Sequence, residues 1–137
     1  MTRDELNGVL AKLGLLEGRS FTTAQGDAWY EILSARKADD AHTAVLQFHS
    51  TPFKRVAYPG DINGIVEDIE RSRVASIGSL EPTLADLEST SNRRWLNKEL
   101  YRVVRQGELS PAGYREYQRS RMTLKAFMAE QAVLTSA

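Results

Sequence analysis

The sequence predicts an all-α protein: an N-terminal four-helix bundle within residues 1–75, a linker over 76–91, and a basic C-terminal helical hairpin over 92–137. Three observations lead there. Apolar residues recur at i, i+3, i+4 and i+7 through most of the chain, the period of a helix with one buried face. Ser, Thr, Asn or Asp stands just ahead of most of these stripes, where a helix start needs a side-chain acceptor. No run alternates apolar and polar residues for the length of a strand; Val56-Ala57-Tyr58 is too short to build a sheet.

Each element has its own signal. Thr2 to Leu16 reads as the first helix: Thr2 and Glu5 have capping-box spacing, Leu6, Val9, Leu10 and Leu13 make one stripe, and Gly14 and Gly18 permit an exit turn. Thr22 to Ala35 reads as the second. Thr22 and Gln25 repeat the box, and Ala28, Trp29, Ile32 and Leu33 line the inward face. The third, Asp39 to His49, has Asp39 or Asp40 as its cap and turns Ala41, Ala44, Val45 and Phe48 inward. Pro59 opens the fourth, which runs to about Ala75 with Ile62, Ile65, Val66 and Ile69 at helical spacing. Residues 76–92, rich in Ser, Thr and Asn and interrupted by Pro82, read as a connector, with Thr83 and Asp86 capping one short turn. A helix from about Asn92 to Gln106 carries Trp95, Leu96, Leu100, Val103 and Val104, and Gly107 stops it. Ser110-Pro111 then starts a long last helix with Tyr114, Tyr117, Leu124, Phe127 and Met128 along one side.

Composition narrows the function. The 137 residues carry 18 basic and 18 acidic side chains, a balance that disfavours a generic polyanion binder. With no cysteine there is no thiolate metal site, and a reducing compartment fits. No apolar stretch approaches the roughly 20 residues that span a bilayer, and the acidic start Thr2-Arg3-Asp4-Glu5 is unlike a signal peptide, so the expected location is the cytoplasm. Charge is nonetheless local: from Arg93 to Lys125 there are nine basic and three acidic residues.

Reaction chemistry finds no support. His42 and His49 lie two turns apart on one helix, but zinc usually needs three or four ligands, so they read as structural or surface residues and no metal or cofactor is expected. Asp61, Glu67, Asp68 and Glu70 alternate with basic residues as on a solvated flank. Gly60 and Gly64 lack the preceding strand and the basic residue of a phosphate-binding turn, and no Gly-x-Ser-x-Gly elbow exists. The chain therefore reads as a non-enzyme.

The basic stretch carries the functional candidates. Arg94, Lys98, Arg102 and Arg105 step by three or four along one helix, and Arg115 and Arg119 repeat the step on the next. With Trp95 as apolar anchor, these seven residues are the expected partner-binding set, facing either an acidic protein or nucleic-acid phosphates. Tyr114 and Tyr117 read as core residues in preference to base-stacking ones. The Phe53-Lys54-Arg55 loop is a smaller candidate. A helix-turn-helix reading of the second and third helices is disfavoured, because Asp39-Asp40 at the start of the third would repel phosphate.

The run Tyr58-Pro59-Gly60-Asp61-Ile62-Asn63-Gly64-Ile65-Val66-Glu67-Asp68-Ile69-Glu70-Arg71-Ser72-Arg73 does most to place the chain. Preceded by a capped first helix, an Ala28-Trp29 pair and an acid-led third helix, it resembles small actinobacterial phage proteins of replication modules. These look like the loader-and-inhibitor proteins that bind replicative hexameric helicases. The resemblance covers roughly residues 1–75. It implies a helical N-terminal domain that hydrolyses no ATP, a C-terminal segment that engages the helicase, and no catalytic residues. In some family members that segment is disordered when free; here residues 92–130 are patterned for helix. The expected function is a replication accessory protein that loads or inhibits the helicase. A nucleic-acid-binding replication organiser or regulator and a phage inhibitor of a host protein are the alternatives. A homodimer is the natural outlet if the last helix carries more apolar surface than the hairpin covers.

Overall fold

Local capping sets where the helices begin. The computed structural model describes residues 1–52 and 55–136. Among them α1 spans Arg3–Glu17, α2 Thr23–Leu33, α3 Ala38–Ser50, α4 Pro59–Ile77, α5 Leu84–Ser89, α6 Arg93–Arg105, α7 Pro111–Ser120 and α8 Leu124–Ser136. These eight helices leave no strand among the described residues, so the protein is all-helical. Both expected capping boxes form. Thr2 Oγ1 accepts from Glu5 N at 3.1 Å while Glu5 Oε1 accepts from Thr2 N at 2.8 Å; Thr22 and Gln25 do the same at 3.1 and 2.8 Å. The Thr2 N–H bond holds the Glu5 carboxyl below its ordinary value. Gly18 closes α1 in the left-handed region, φ 67°, which costs glycine nothing.

The chain divides into two compact units, Met1–Ile69 and Glu70–Ala137. In the first, α1 packs against α2 and α3 around Leu6, Val9, Leu10, Leu13, Trp29, Leu33, Ala44, Val45 and Phe48, with Ile62 and Val66 from α4. Two expectations need correction. The buried face of α2 is Gly26, Trp29 and Leu33, whereas Ala28 and Ile32 are exposed. That face is selected by α1, whose Arg3 guanidinium lies against Gly26 and bonds Asp27 Oδ1 at 2.7 Å. The N-cap of α3 is Lys37, without a side-chain cap bond; Asp39 and Asp40 fall one and two positions inside the helix. They still sit where the helix dipole favours an acid.

A buried carboxylate ties the approach to α4. Glu17 accepts from Ala57 N at 2.6 Å, from Arg19 Nε at 2.8 Å, and pairs with His49 Nε2 at 2.9 Å. Arg19 Nη2 donates to Ala57 O at 2.6 Å. A charge this deep needs such partners to offset its lost hydration.

The second unit departs further from expectation. The division falls at Ile69–Glu70, ahead of the expected boundary at 75, and residues 76–91, read as a linker, are built into the fold. Glu81 N donates to Tyr114 Oη at 2.9 Å and Thr83 N to Tyr117 Oη at 2.9 Å. Thr83 Oγ1 donates to Met122 O at 2.8 Å. Val74, Ile77 and Leu80 pack on a core of Leu100, Val103, Val104, Leu109, Tyr117 and Phe127. The expected long last helix is two helices, α7 and α8, so three helices follow residue 92 where a two-helix hairpin was expected. Arg121 takes φ 59° and ends α7; Thr123 Oγ1 then accepts from Ala126 N at 3.2 Å and restarts the helix.

Asp86 joins these pieces. Its buried carboxylate accepts from Leu124 N at 2.9 Å, capping α8 from α5, and from the Tyr117 hydroxyl. Burial, with the Asp86 bond second, pushes the Tyr117 phenol from 10.0 up to about 12. The fold therefore favours the neutral phenol; its contribution is intact below pH 10 and lost as pH rises through about 12. Tyr117→Phe leaves Thr83 N–H without its acceptor and takes from Asp86 one of its donors, with Leu124 N remaining. It is expected to lower the urea-unfolding free energy at pH 7 by about 1–3 kcal/mol. It should also flatten the fall in stability between pH 10 and about 12 relative to the parent protein.

Candidate partner-docking site

The candidate site is a cleft in the second unit, and α6 builds most of it. Asn92 Oδ1 accepts from Trp95 N at 3.0 Å, so the cap places Trp95 in the first turn. Leu96, Leu100, Val103 and Val104 turn into the core. Arg94, Lys98 and Tyr101 fall on the far side of the helix and are exposed. Trp95 lies between these two faces. Its ring is 54% exposed, whereas Trp29, the other tryptophan, is 4% exposed.

Trp95, Leu96 and Val103 from α6 meet Leu124 and Met128 from α8, with Ser89 and Thr90 at the end of α5, around a cleft of about 620 Å³. Asp86, Glu99, Arg102, Glu108 and Lys125 supply its charged lining. The acids are engaged. Arg102 lies 3.3 Å from Glu99 and 3.6 Å from Glu108, and it also donates to Gln106 Oε1 at 3.1 Å. Asp86 faces Leu124 N and Tyr117. Lys125 is exposed and makes no ion pair among the described residues.

The seven expected site residues separate into two groups. Trp95 lines the cleft, and Arg94, Lys98, Arg115 and Arg119 are exposed without an ion pair among the described residues. Arg102 and Arg105 are engaged inside the unit. Arg105 Nε lies 3.6 Å from the buried Glu70 carboxylate, and its guanidinium sits 5.7 Å from the Tyr101 ring centroid. A cation held by a buried acid adds little field at the surface, so the available charge is carried by Arg94 and Lys98 on α6 and by Arg115 and Arg119 on α7. Of the lesser loop candidate, Phe53 and Lys54 lie outside the described residues, and Arg55 makes two 2.8 Å bonds to Asp61. Those bonds hold the Asp61 carboxyl below its ordinary value.

Leu124, Met128, Lys125, Glu99 and Glu108 were not in the expected site. Leu124 and Met128 carried a visible apolar signal, but only the break at Arg121 swings them to face α6. The Thr123 cap that makes the break was legible in the sequence as a Thr three residues before Ala126.

A second hollow, about 630 Å³, lies in the first unit between α1 and the start of α2. Its cations are taken: Arg3 by Asp27 and Arg19 by Glu17. Among the described residues no group of three His, Asp or Glu side chains is set to hold a metal, and no helix is long and apolar enough to cross a membrane.

No family model, no curated protein and no solved structure matches this chain.

Trp95 should dominate the acrylamide-quenchable emission of the protein, with Trp29 contributing a blue, shielded remainder. Trp95→Phe is expected to remove the red, quenchable component; an unchanged quenching profile would place the indole inside the fold.

Proposed function

We propose that this protein is a non-enzymatic phage replication accessory protein that docks on a replicative hexameric helicase in the host cytoplasm and loads or restrains it. One observation carries the docking: a half-exposed tryptophan at the mouth of an apolar cleft, bordered on the same helix by Arg94 and Lys98, which are exposed and make no ion pair among the described residues. An aromatic anchor inside a cationic rim is the composition of a protein-interface centre. The helicase is the partner that the resemblance of residues 1–75 implies. The first unit, with Arg3, Arg19, Arg36 and Arg55 in ion pairs and its core filled, acts as the platform.

Protein contact is favoured over nucleic acid for a specific reason. Residues 70–137 carry eleven basic and eight acidic side chains, a modest net charge of +3 for a phosphate binder. Within that balance Arg102 is held by Glu99 and Glu108, and Arg105 by Glu70.

The test is mass photometry of the full chain with the cognate helicase at micromolar concentration. A complex is expected, weakened about tenfold or more by Trp95→Ala combined with Arg94→Glu. No complex at that concentration defeats the reading. So does an affinity for duplex DNA that exceeds helicase affinity and falls steeply with salt.

A further inference from the structure

We infer that the cleft formed by α5, α6 and α8 receives an amphipathic helix whose flanks are acidic, contributed by the partner protein. This rests on the docking reading above and names the chemistry of what docks.

The walls set the shape of the occupant. A volume of about 620 Å³ admits the side chains of a segment and excludes a folded domain. All three walls are helical, so no sheet edge is offered for strand addition, and a helix laid into the groove by its apolar stripe is the mode that remains for regular structure. Leu96, Val103, Leu124 and Met128 supply an aliphatic floor, with Trp95 standing at the mouth as a wall against which leucines can pack.

The charges set its sign. Glu99 and Glu108 face the cleft but share Arg102, and Asp86 is used in capping α8. The charges left without a partner among the described residues are cationic: Lys125 in the lining, and Arg94 and Lys98 beside Trp95 on α6. Arg94 and Lys98 are one turn apart, a spacing matched by two glutamates one turn apart on a docked helix. A basic helix would meet three repelling charges. A nucleic-acid strand would leave the aliphatic floor of Leu96, Val103, Leu124 and Met128 unused.

The probes are two designed peptides of about 16 residues with identical leucines at i, i+3, i+4 and i+7; one carries glutamate on both flanks of the stripe and the other lysine. Each is titrated into the full chain by Trp fluorescence. The expected result is a blue shift and acrylamide protection of Trp95 by the Glu peptide, with the Lys peptide at least about tenfold weaker and the gap narrowing in high salt. The double variant Arg94→Glu/Lys98→Glu changes only exposed side chains and should reverse the preference without altering the helical circular dichroism. Equal binding of the two peptides overturns the inference, as does binding that leaves Trp95 emission unmoved or tighter quenching by an oligothymidylate. A helicase complex without a peptide preference sinks this inference alone. A Glu-peptide preference without a helicase complex sinks the partner assignment and leaves the inference standing.

Discussion

The second unit depends on one buried carboxylate. Asp86 lies on a helix of only six residues, too short to persist without tertiary support. Its oxygens take the first backbone donor of α8 and the hydroxyl of Tyr117 on α7, while Tyr117 in turn receives the Thr83 N–H. Thr83, Asp86 and Tyr117 are buried and every donor in the cluster finds an acceptor, so the loss of any member leaves an unsatisfied polar group. Asp86 thus ties α5 to both α7 and α8, and residues of α5 and α8 line the cleft.

The same logic governs which charges stay available at the surface. Six cations of the basic stretch were candidates on spacing alone, but spacing does not say where the acids will be. Glu70 is carried to Arg105 by the fold, and Glu99 and Glu108 close on Arg102 from within and just beyond the same helix. Arg94, Lys98, Arg115 and Arg119 have no acid at comparable distance among the described residues, so their field is directed outward. Exposed ion pairs are individually weak, about 0–1 kcal/mol. Their importance here is in selecting which cations stay available.

At the far end of α8 the surface is apolar. Val133 and Leu134 are 68% and 63% exposed, and α8 carries only Lys125 and Glu130 as charged residues. The helix is anchored at its beginning, through Asp86, Leu124 and Phe127, and its last turns extend away from that anchor.

Helix starts were legible because caps are local. Thr2, Thr22, Thr83, Asn92 and Ser110 each bond a backbone donor three positions on, and four contiguous residues suffice to specify that. The inward stripe of α1 was equally plain, since Leu6, Val9, Leu10 and Leu13 leave no second choice of face. Where a helix offered two faces, as in α2, the sequence could not choose; Trp29 and Leu33 belong to either, and the arrival of α1 decided for Gly26 over Ala28 and Ile32. The break at Arg121, the recruitment of residues 79–86 into the fold and the pairing of Arg102 and Arg105 also belong to tertiary structure. Thr83, Asp86, Tyr117, Met122 and Leu124 meet across 31 to 39 positions of chain. The sequence by itself thus determined the helical class, the beginnings of the helices with a side-chain cap at Thr2, Thr22, Thr83, Asn92 and Ser110, and the cationic character of the C-terminal half. Only the folded structure decided which face, which break and which cation, because those follow from contacts between segments whose distance along the chain hides them from any local pattern.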